Sequence, residues 1–195
     1  MFFEPNQIPG TLPLFGGIVS ETGISEAPTK HSVLDEHLYC CLMEGGICDN
    51  GDVAIERLPE CKEFHGRKMA TKKKDANRLG VPIMISEWGA CSDSLACATE
   101  LNNVQDVMDE YAASWAYWQM KGFGDFTTVS GPEQGIYDLK TAEYQVLKQK
   151  ALTRTYVQRY SGVPLGSWFN SETGDFSVRM IHKQNAEPNR LYLNE

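Results

Sequence analysis

An α/β fold built on a parallel sheet is predicted by three observations. The run Val81-Pro82-Ile83-Met84-Ile85-Ser86 is largely apolar and ends abruptly on Glu87-Trp88-Gly89, as a buried parallel strand ends where it opens into a site. Leu101, Val104, Met108 and Tyr111 then recur at helical spacing. A second apolar and aromatic run, Ser114-Trp115-Ala116-Tyr117-Trp118-Gln119, follows. Strand, helix and strand in that order imply parallel neighbours joined by a right-handed crossover. A carboxylate at the C-terminal end of such a strand stands where (β/α) barrels carry their reactive groups.

Residues 1–5 read as the tail of a strand. The segment 6–30 is a long Pro/Gly-rich loop, with Pro9, Gly10, Pro13, Gly16, Gly17, Gly23 and Pro28, and loops of that length are usually functional or poorly ordered. Residues 32–41 read as a strand despite Asp35-Glu36 in its middle, and another loop covers about 44–59. A helix is expected over 61–79 with Gly80 as its C-terminal stop, then the strand 81–87, a helix over 99–113 and the strand 114–119. A Gly- and Thr-rich loop covers about 121–134. Leu147, Ala151, Leu152, Tyr156 and Tyr160 suggest a helix over 141–160, ended by Gly162 and Pro164. Beyond it Phe176, Val178 and Met180 alternate with Ser177 and Arg179, the pattern of a half-buried antiparallel strand. Residues 185–189 form a turn and 190–193 begin another strand.

Three or four strand–helix units make about half of an eight-stranded barrel. Half a barrel leaves sheet edges unpaired and a core open, so both ends of the chain read as cut: residues 1–162 as the C-terminal half of a barrel, 163–195 as the start of an antiparallel β domain.

The chain has 195 residues, 42% of them hydrophobic, and a net charge of -8. That is enough for one packed core, and the negative balance argues against a nucleic-acid partner. Arg67-Lys68 and Lys72-Lys73-Lys74 form the one basic cluster, read as the solvated face of a helix. No apolar run approaches the roughly 18 residues that span a bilayer, and Met1-Phe2-Phe3-Glu4-Pro5 lacks the basic and apolar regions of a signal peptide. Of the six cysteines, none has zinc-site spacing. Cys48 with Cys61, and Cys91 with Cys97, flank loops that short disulfides would close in an oxidising compartment; reduced, partly buried thiols are the alternative.

Five segments together resemble the C-terminal half of a glycoside hydrolase family 5 enzyme, in the endoglycoceramidase and glucosylceramidase-like branch. Met1-Phe2-Phe3-Glu4-Pro5-Asn6 is similar to its fifth barrel strand. His37-Leu38-Tyr39-Cys40 is similar to the sixth, and Ile85-Ser86-Glu87-Trp88-Gly89-Ala90 to the seventh, which ends in the nucleophile. Ser114 to Lys121, with Asp125-Phe126-Thr127-Thr128 after it, resembles the eighth strand and its loop. Leu152 to Tyr156, followed by Gly162, resembles the last barrel helix. The resemblance implies a (β/α)8 TIM barrel, here about strands five to eight, then the start of a C-terminal β-sandwich. Three departures stand out: the family's Asn-Glu-Pro acid/base motif is absent, the sixth strand carries Asp35-Glu36, and the β-sandwich stops after about two strands.

Retaining glycosidases use two carboxylates about 5–5.5 Å apart, one as nucleophile and one as acid/base. The resemblance assigns the nucleophile to Glu87; a salt-bridged strand-end carboxylate is the structural alternative. Glu4 fits a structural residue of the fifth strand better than an acid/base, and Glu36 is a weaker candidate, so the second carboxylate is expected outside this sequence. His37 and Tyr39 share a strand face and would support the nucleophile; a core His-Tyr pair is the alternative. Trp118 would be the floor on which a sugar ring stacks, with Gln119 and Lys121 reaching its hydroxyls. Trp115 and Tyr117 fit barrel packing, and Asp125, Thr127 and Thr128 fit anchoring of their own loop. Phe15, Ile18 and Val19 are candidates for peripheral contact with lipid, and surface packing explains them equally well.

The implied activity is hydrolysis of the O-glycosyl bond between sugar and ceramide in glycosphingolipids, with no cofactor and no metal, in a secreted or lysosomal setting. Two alternatives stay open: an inactive fragment that binds glycan or lipid weakly, and another family 5 hydrolase of the β-glucanase or cellulase type acting on a β-glucoside.

Overall fold

The structure is a computed structural model that describes residues 2–4, 29–40, 48–49, 52–120, 134–138 and 140–194. In chain order its elements are β1 (Phe2–Phe3), β2 (Val33–Leu38), β3 (Cys48–Asp49), β4 (Asp52–Val53), α1 (Leu58–Leu79), β5 (Ile83–Trp88), α2 (Leu95–Glu110), β6 (Ser114–Trp115), α3 (Val146–Leu152), β7 (Tyr156–Arg159), β8 (Gly162–Phe169), β9 (Phe176–His182) and β10 (Arg190–Tyr192). Among the described residues, β1, β2, β5 and β6 pair in that order, every pair parallel. This is the predicted α/β arrangement with a parallel sheet. The helices α1 and α2 pack on one face of it, around Leu34, Leu38, Met69, Ile83, Ile85, Trp88, Leu101, Val104 and Met108, all buried.

One irregularity decides what the other face carries. Leu34, Glu36 and Leu38 of β2 alternate into the helix layer, beside Ile83, Ile85 and Trp88 of β5. Strict alternation would send Glu87 into that layer as well. The register shifts between Glu36 and His37, so that Ile85 faces Glu36 but Glu87 faces His37. The extra residue, Ser86, is a β-bulge, which turns the following side chain over. Glu87 thereby joins His37 on the open face, and Trp88 drops into the core.

The helix α1 begins three residues earlier than expected, after a 3₁₀ turn (Ile55–Arg57), with Pro59 in its first turn. Its end is as predicted: Gly80 sits at φ 67° and its N–H returns to the Ala76 carbonyl. The basic cluster needs correction. Arg67 and Lys74 are exposed, but Lys68 and Lys72 lie on the buried stripe of α1, each 1% exposed, with Nζ 3.0 and 3.3 Å from the Glu36 carboxylate. Asp35-Glu36 is tolerated in a buried strand for the same reason: Glu36 faces two lysines rather than apolar side chains.

The helix α2 also starts early, at Leu95, because Ser94 caps it by accepting from the Cys97 N–H at 3.0 Å. Ser94 Oγ donates in turn to Asp52 Oδ2 at 2.5 Å, and the Ser92 N–H to Asp52 Oδ1 at 2.8 Å. The β3–β4 hairpin, inside a stretch expected to be loop, supplies that aspartate. The expected Cys91–Cys97 disulfide is present. The expected partner of Cys61 is wrong: Cys61 bonds to Cys40, with Cα atoms 5.5 Å apart, which ties the end of β2 to the first turns of α1.

The helix expected over 141–160 is another correction. Only Val146–Leu152 is helical, and Tyr156–Arg159 is a strand paired antiparallel with β10. A spacing of four residues, as in Leu152, Tyr156 and Tyr160, fits a helix turn and two strand repeats equally. The β-branched Thr153, Thr155 and Val157 decide for the strand. Gly162 and Pro164, expected as terminators, lie inside β8, which forms an antiparallel hairpin with β9. Gly166, at φ 134°, rests against the end of α2, where a Cβ would stand 2.4 Å from the Glu110 carbonyl oxygen. Among the described residues no helix is long and apolar enough to cross a membrane.

A buried charge fastens this region. Arg154, under the Phe169 ring, reaches Asp106 Oδ1 at 3.2 Å and Asp109 Oδ2 at 3.1 Å. Burial pushes the Asp109 carboxyl up to about 6 against the pull of Arg154. The folded state therefore holds a proton that the unfolded chain has released. This stabilisation is present below about pH 4 and is lost as pH rises through about 6. Asp109→Asn removes the dependence and keeps an oxygen for Arg154. The variant should gain roughly 3 kcal/mol relative to wild type between pH 4 and pH 7. Urea titrations at the two pH values read that difference; a gap that does not change with pH refutes the account.

Candidate active site

The C-terminal ends of the parallel strands gather several of the predicted polar residues. The Glu87 carboxylate, 28% exposed, accepts a hydrogen bond from the Tyr39 hydroxyl, Oη to Oε1, at 2.9 Å. Its other oxygen, Oε2, lies 3.7 Å from His37 Nδ1. The far nitrogen of the same ring, Nε2, lies 3.3 Å from Glu4 Oε1. Each side chain is placed by its strand: Glu4 follows β1, His37 is in β2, Tyr39 follows β2, and Glu87 is turned over by the β5 bulge. Burial, and next to it the charge of Glu87, push the Tyr39 phenol far above the ordinary tyrosine range. Tyr39 thus stays a donor to Glu87 throughout the working pH range.

The backbone of Trp118, the expected floor residue, lies along the end of β5. Trp118 is half-buried and bridges to Gly89, two residues beyond Glu87; its carbonyl accepts from the Ala90 N–H at 3.0 Å and its N–H donates to the Trp88 carbonyl at 2.8 Å. The regular strand stops at Trp115, short of the expected Gln119, but these bonds hold the rest of the run along β5. The close approach explains Gly89, at φ 105°: a Cβ there would stand 2.3 Å from the Tyr117 ring. Trp115 and Tyr117 pack edge-on against buried Trp88, centroids 5.1 and 5.5 Å away, as expected of packing residues. Gln119 is half-buried, and among the described residues its Nε2, itself shielded from solvent, has no hydrogen-bond partner. Lys121, Asp125, Thr127, Thr128, Phe15, Ile18 and Val19 lie outside the described residues.

Sequence reasoning missed two contributors. Glu4, expected as a structural residue of its strand, also reaches the His37 ring. Lys68 was read as solvated, yet its Nζ donates to the His37 carbonyl at 2.5 Å. The interruption of β2 by Asp35-Glu36 was the available signal for Lys68, since a buried carboxylate in a strand demands a cationic partner.

A carboxylate on a strand end, held by a tyrosine donor, can attack an electrophilic carbon. The family described as Cellulase (glycosyl hydrolase family 5) matches residues 25–124. No curated protein matches the sequence. Among solved structures, endo-glycoceramidase II from Rhodococcus sp. in its ganglioside GM3 complex is 18% identical with a TM-score of 0.68, over 99% of this chain and 39% of that one. The same enzyme as its lactosyl-enzyme intermediate is 17% identical with a TM-score of 0.67. Cryptococcus neoformans sterylglucosidase 1 with tris is 11% identical with a TM-score of 0.57, over 73% of this chain and 25% of that one. These likenesses establish a shared fold, and the chain spans at most about 40% of the length of these proteins.

Proposed function

The chain belongs to glycosyl hydrolase family 5, and from that premise we propose that it forms the nucleophile-bearing part of a retaining β-glycosidase that cleaves the sugar–ceramide bond of glycosphingolipids. The observation that carries the proposal is the hydrogen bond of 2.9 Å from Tyr39 to Glu87. It fixes one carboxylate oxygen at the end of a strand whose Gly89 bridges to Trp118. In the first step a Glu87 oxygen attacks the anomeric carbon, the glycosidic C–O bond breaks, and the leaving oxygen takes a proton from a second carboxylic acid. In the second, that carboxylate takes a proton from water, the water oxygen attacks the same carbon, and the bond to Glu87 breaks. Trp118 stacks on the apolar face of the sugar, and Gln119 donates to a hydroxyl. The 195 residues contain no Asn-Glu-Pro triplet, so the acid/base is assigned to a part of the enzyme outside this sequence. The disulfides Cys40–Cys61 and Cys91–Cys97 support an oxidising, secreted or lysosomal setting.

Ceramide specificity draws its support from the likeness, over 99% of this chain, to an enzyme solved with ganglioside GM3. The family description, Cellulase, favours a second reading in which the substrate is a β-glucan. The test uses the whole enzyme that carries this chain. A 2-deoxy-2-fluoro-β-lactoside with a dinitrophenolate leaving group should label the peptide containing Glu87. Turnover of lactosylceramide should exceed turnover of a cello-oligosaccharide. Label on any other residue removes Glu87 as nucleophile; the reverse substrate order selects the second reading.

A further inference from the structure

We infer that Glu4 is a positioning residue for the nucleophile, acting through His37. The inference rests on the glycosidase reading above and extends it to a residue that reading does not use. Three adjacent parallel strands, β1, β2 and β5, each deliver one polar side chain to the same end of the sheet, in the spatial order Glu4, His37, Glu87. The register sets this order: β1 pairs with the first half of β2, and His37 stands opposite Glu87. The imidazole lies between two carboxylates, Nε2 at 3.3 Å from Glu4 Oε1 and Nδ1 at 3.7 Å from Glu87 Oε2.

The physical argument concerns rotation. Once the His37 backbone is fixed, the direction of Nδ1 depends on how the ring turns about its bond to Cβ. The backbone is held by the strand ladder and by Lys68, whose Nζ bonds to the His37 carbonyl. Neither contact restrains the ring. Glu4 does, because its carboxylate oxygen 3.3 Å from Nε2 favours the ring orientation that keeps that nitrogen beside it. That orientation leaves Nδ1 beside Glu87 Oε2. The 3.7 Å separation is longer than a hydrogen bond, as is common before substrate closes a site. Tyr39 fixes one oxygen of the nucleophile, and Glu4, through His37, places a partner at the other. A misplacement of about 1 Å at a reacting group can cost about a hundredfold in rate. Glu4 is 39% exposed.

The test follows the rate at which the fluoro-lactoside inactivates the whole enzyme. Its dinitrophenolate leaves without a proton, so the rate reports on Glu87 alone and not on the acid/base. Glu4→Ala should lower the inactivation rate constant at least about tenfold while the inhibitor's dissociation constant stays within about twofold. Glu4→Gln, which keeps an oxygen at Nε2, should recover most of the lost rate. In a His37→Ala background, Glu4→Ala should have no further effect, because the two changes remove one device. Melting temperatures verify that each variant is folded, and Glu4→Ser replaces Glu4→Ala if that protein does not fold. Wild type labelled at Glu87 with Glu4→Ala inactivated equally fast overturns the inference alone, as does an additive loss in the double variant. Wild type not labelled at Glu87 overturns the glycosidase reading and the inference with it.

Discussion

Glu87→Gln should abolish turnover of a β-lactosyl lipid by the whole enzyme, with a fall in kcat of at least about a thousandfold, equivalent to about 4 kcal/mol of barrier. The amide oxygen of glutamine is a poor nucleophile and forms no stable glycosyl ester, so the covalent path closes. The fold should be unaffected. The Glu87 side chain is 28% exposed and stands on the open face of the sheet, and a glutamine oxygen still accepts from Tyr39. The expected signature is lost kcat with little change in KM and a melting temperature within a degree or two of wild type. Activity within tenfold of wild type would show that Glu87 is a strand-end carboxylate with a structural partner and would end the assignment. Tyr39→Phe should give a smaller effect in the same direction, because the carboxylate survives and only its orientation is loosened.

The candidate site was legible because its polar residues sit at strand ends, where sequence and position coincide. An apolar run that stops at Glu87-Trp88-Gly89 marks both a strand and its C-terminal end, and His37-x-Tyr39 alternates as any strand does. What could not be read was the face. Alternation from Ile83 and Ile85 sends Glu87 toward the helices, and only the bulge at Ser86 reverses it; bulges answer to the neighbouring strand's register and leave no local pattern. The lysines of α1 depart from expectation for a related reason. Charge on a helix usually means water, and only the pairing partner on β2 shows that Lys68 and Lys72 face inward. The helix expected over 141–160 failed on a coincidence of periods, since residues four apart share a face in a helix and in a strand alike. Cys61 was given the wrong partner because loop length favours a near cysteine, while the actual bond joins residues 21 apart brought together by the β2–α1 packing.

Removal of the buried carboxylate under the site should be the most damaging single change to stability. Glu36, Lys68 and Lys72 are each 1% exposed, and one carboxylate faces two ammonium groups at 3.0 and 3.3 Å. Burial already lowers the Lys68 pKa, with Glu36 acting against that shift. Glu36→Leu leaves both ammonium groups in the helix layer without that counter-charge, and breaking a buried pair in this way costs about 3–5 kcal/mol. The sign with pH follows. A lysine whose pKa is depressed on folding binds fewer protons in the folded than in the unfolded state, so stability rises with pH across that interval. The variant's deficit should therefore narrow as the solution is made alkaline, starting below the ordinary lysine range. The double change Lys68→Met with Lys72→Met in the Glu36→Leu background replaces the cluster by apolar side chains, and should restore much of the loss at neutral pH. It should not restore activity fully, because Lys68 also holds the His37 carbonyl and the β2 strand end would relax. Urea midpoints at pH 7 and pH 9.5, with kcat on the refolded variants, separate the two effects. A Glu36→Leu protein as stable as wild type at pH 7 would show that water reaches the lysines and that the cluster is not a buried ion pair.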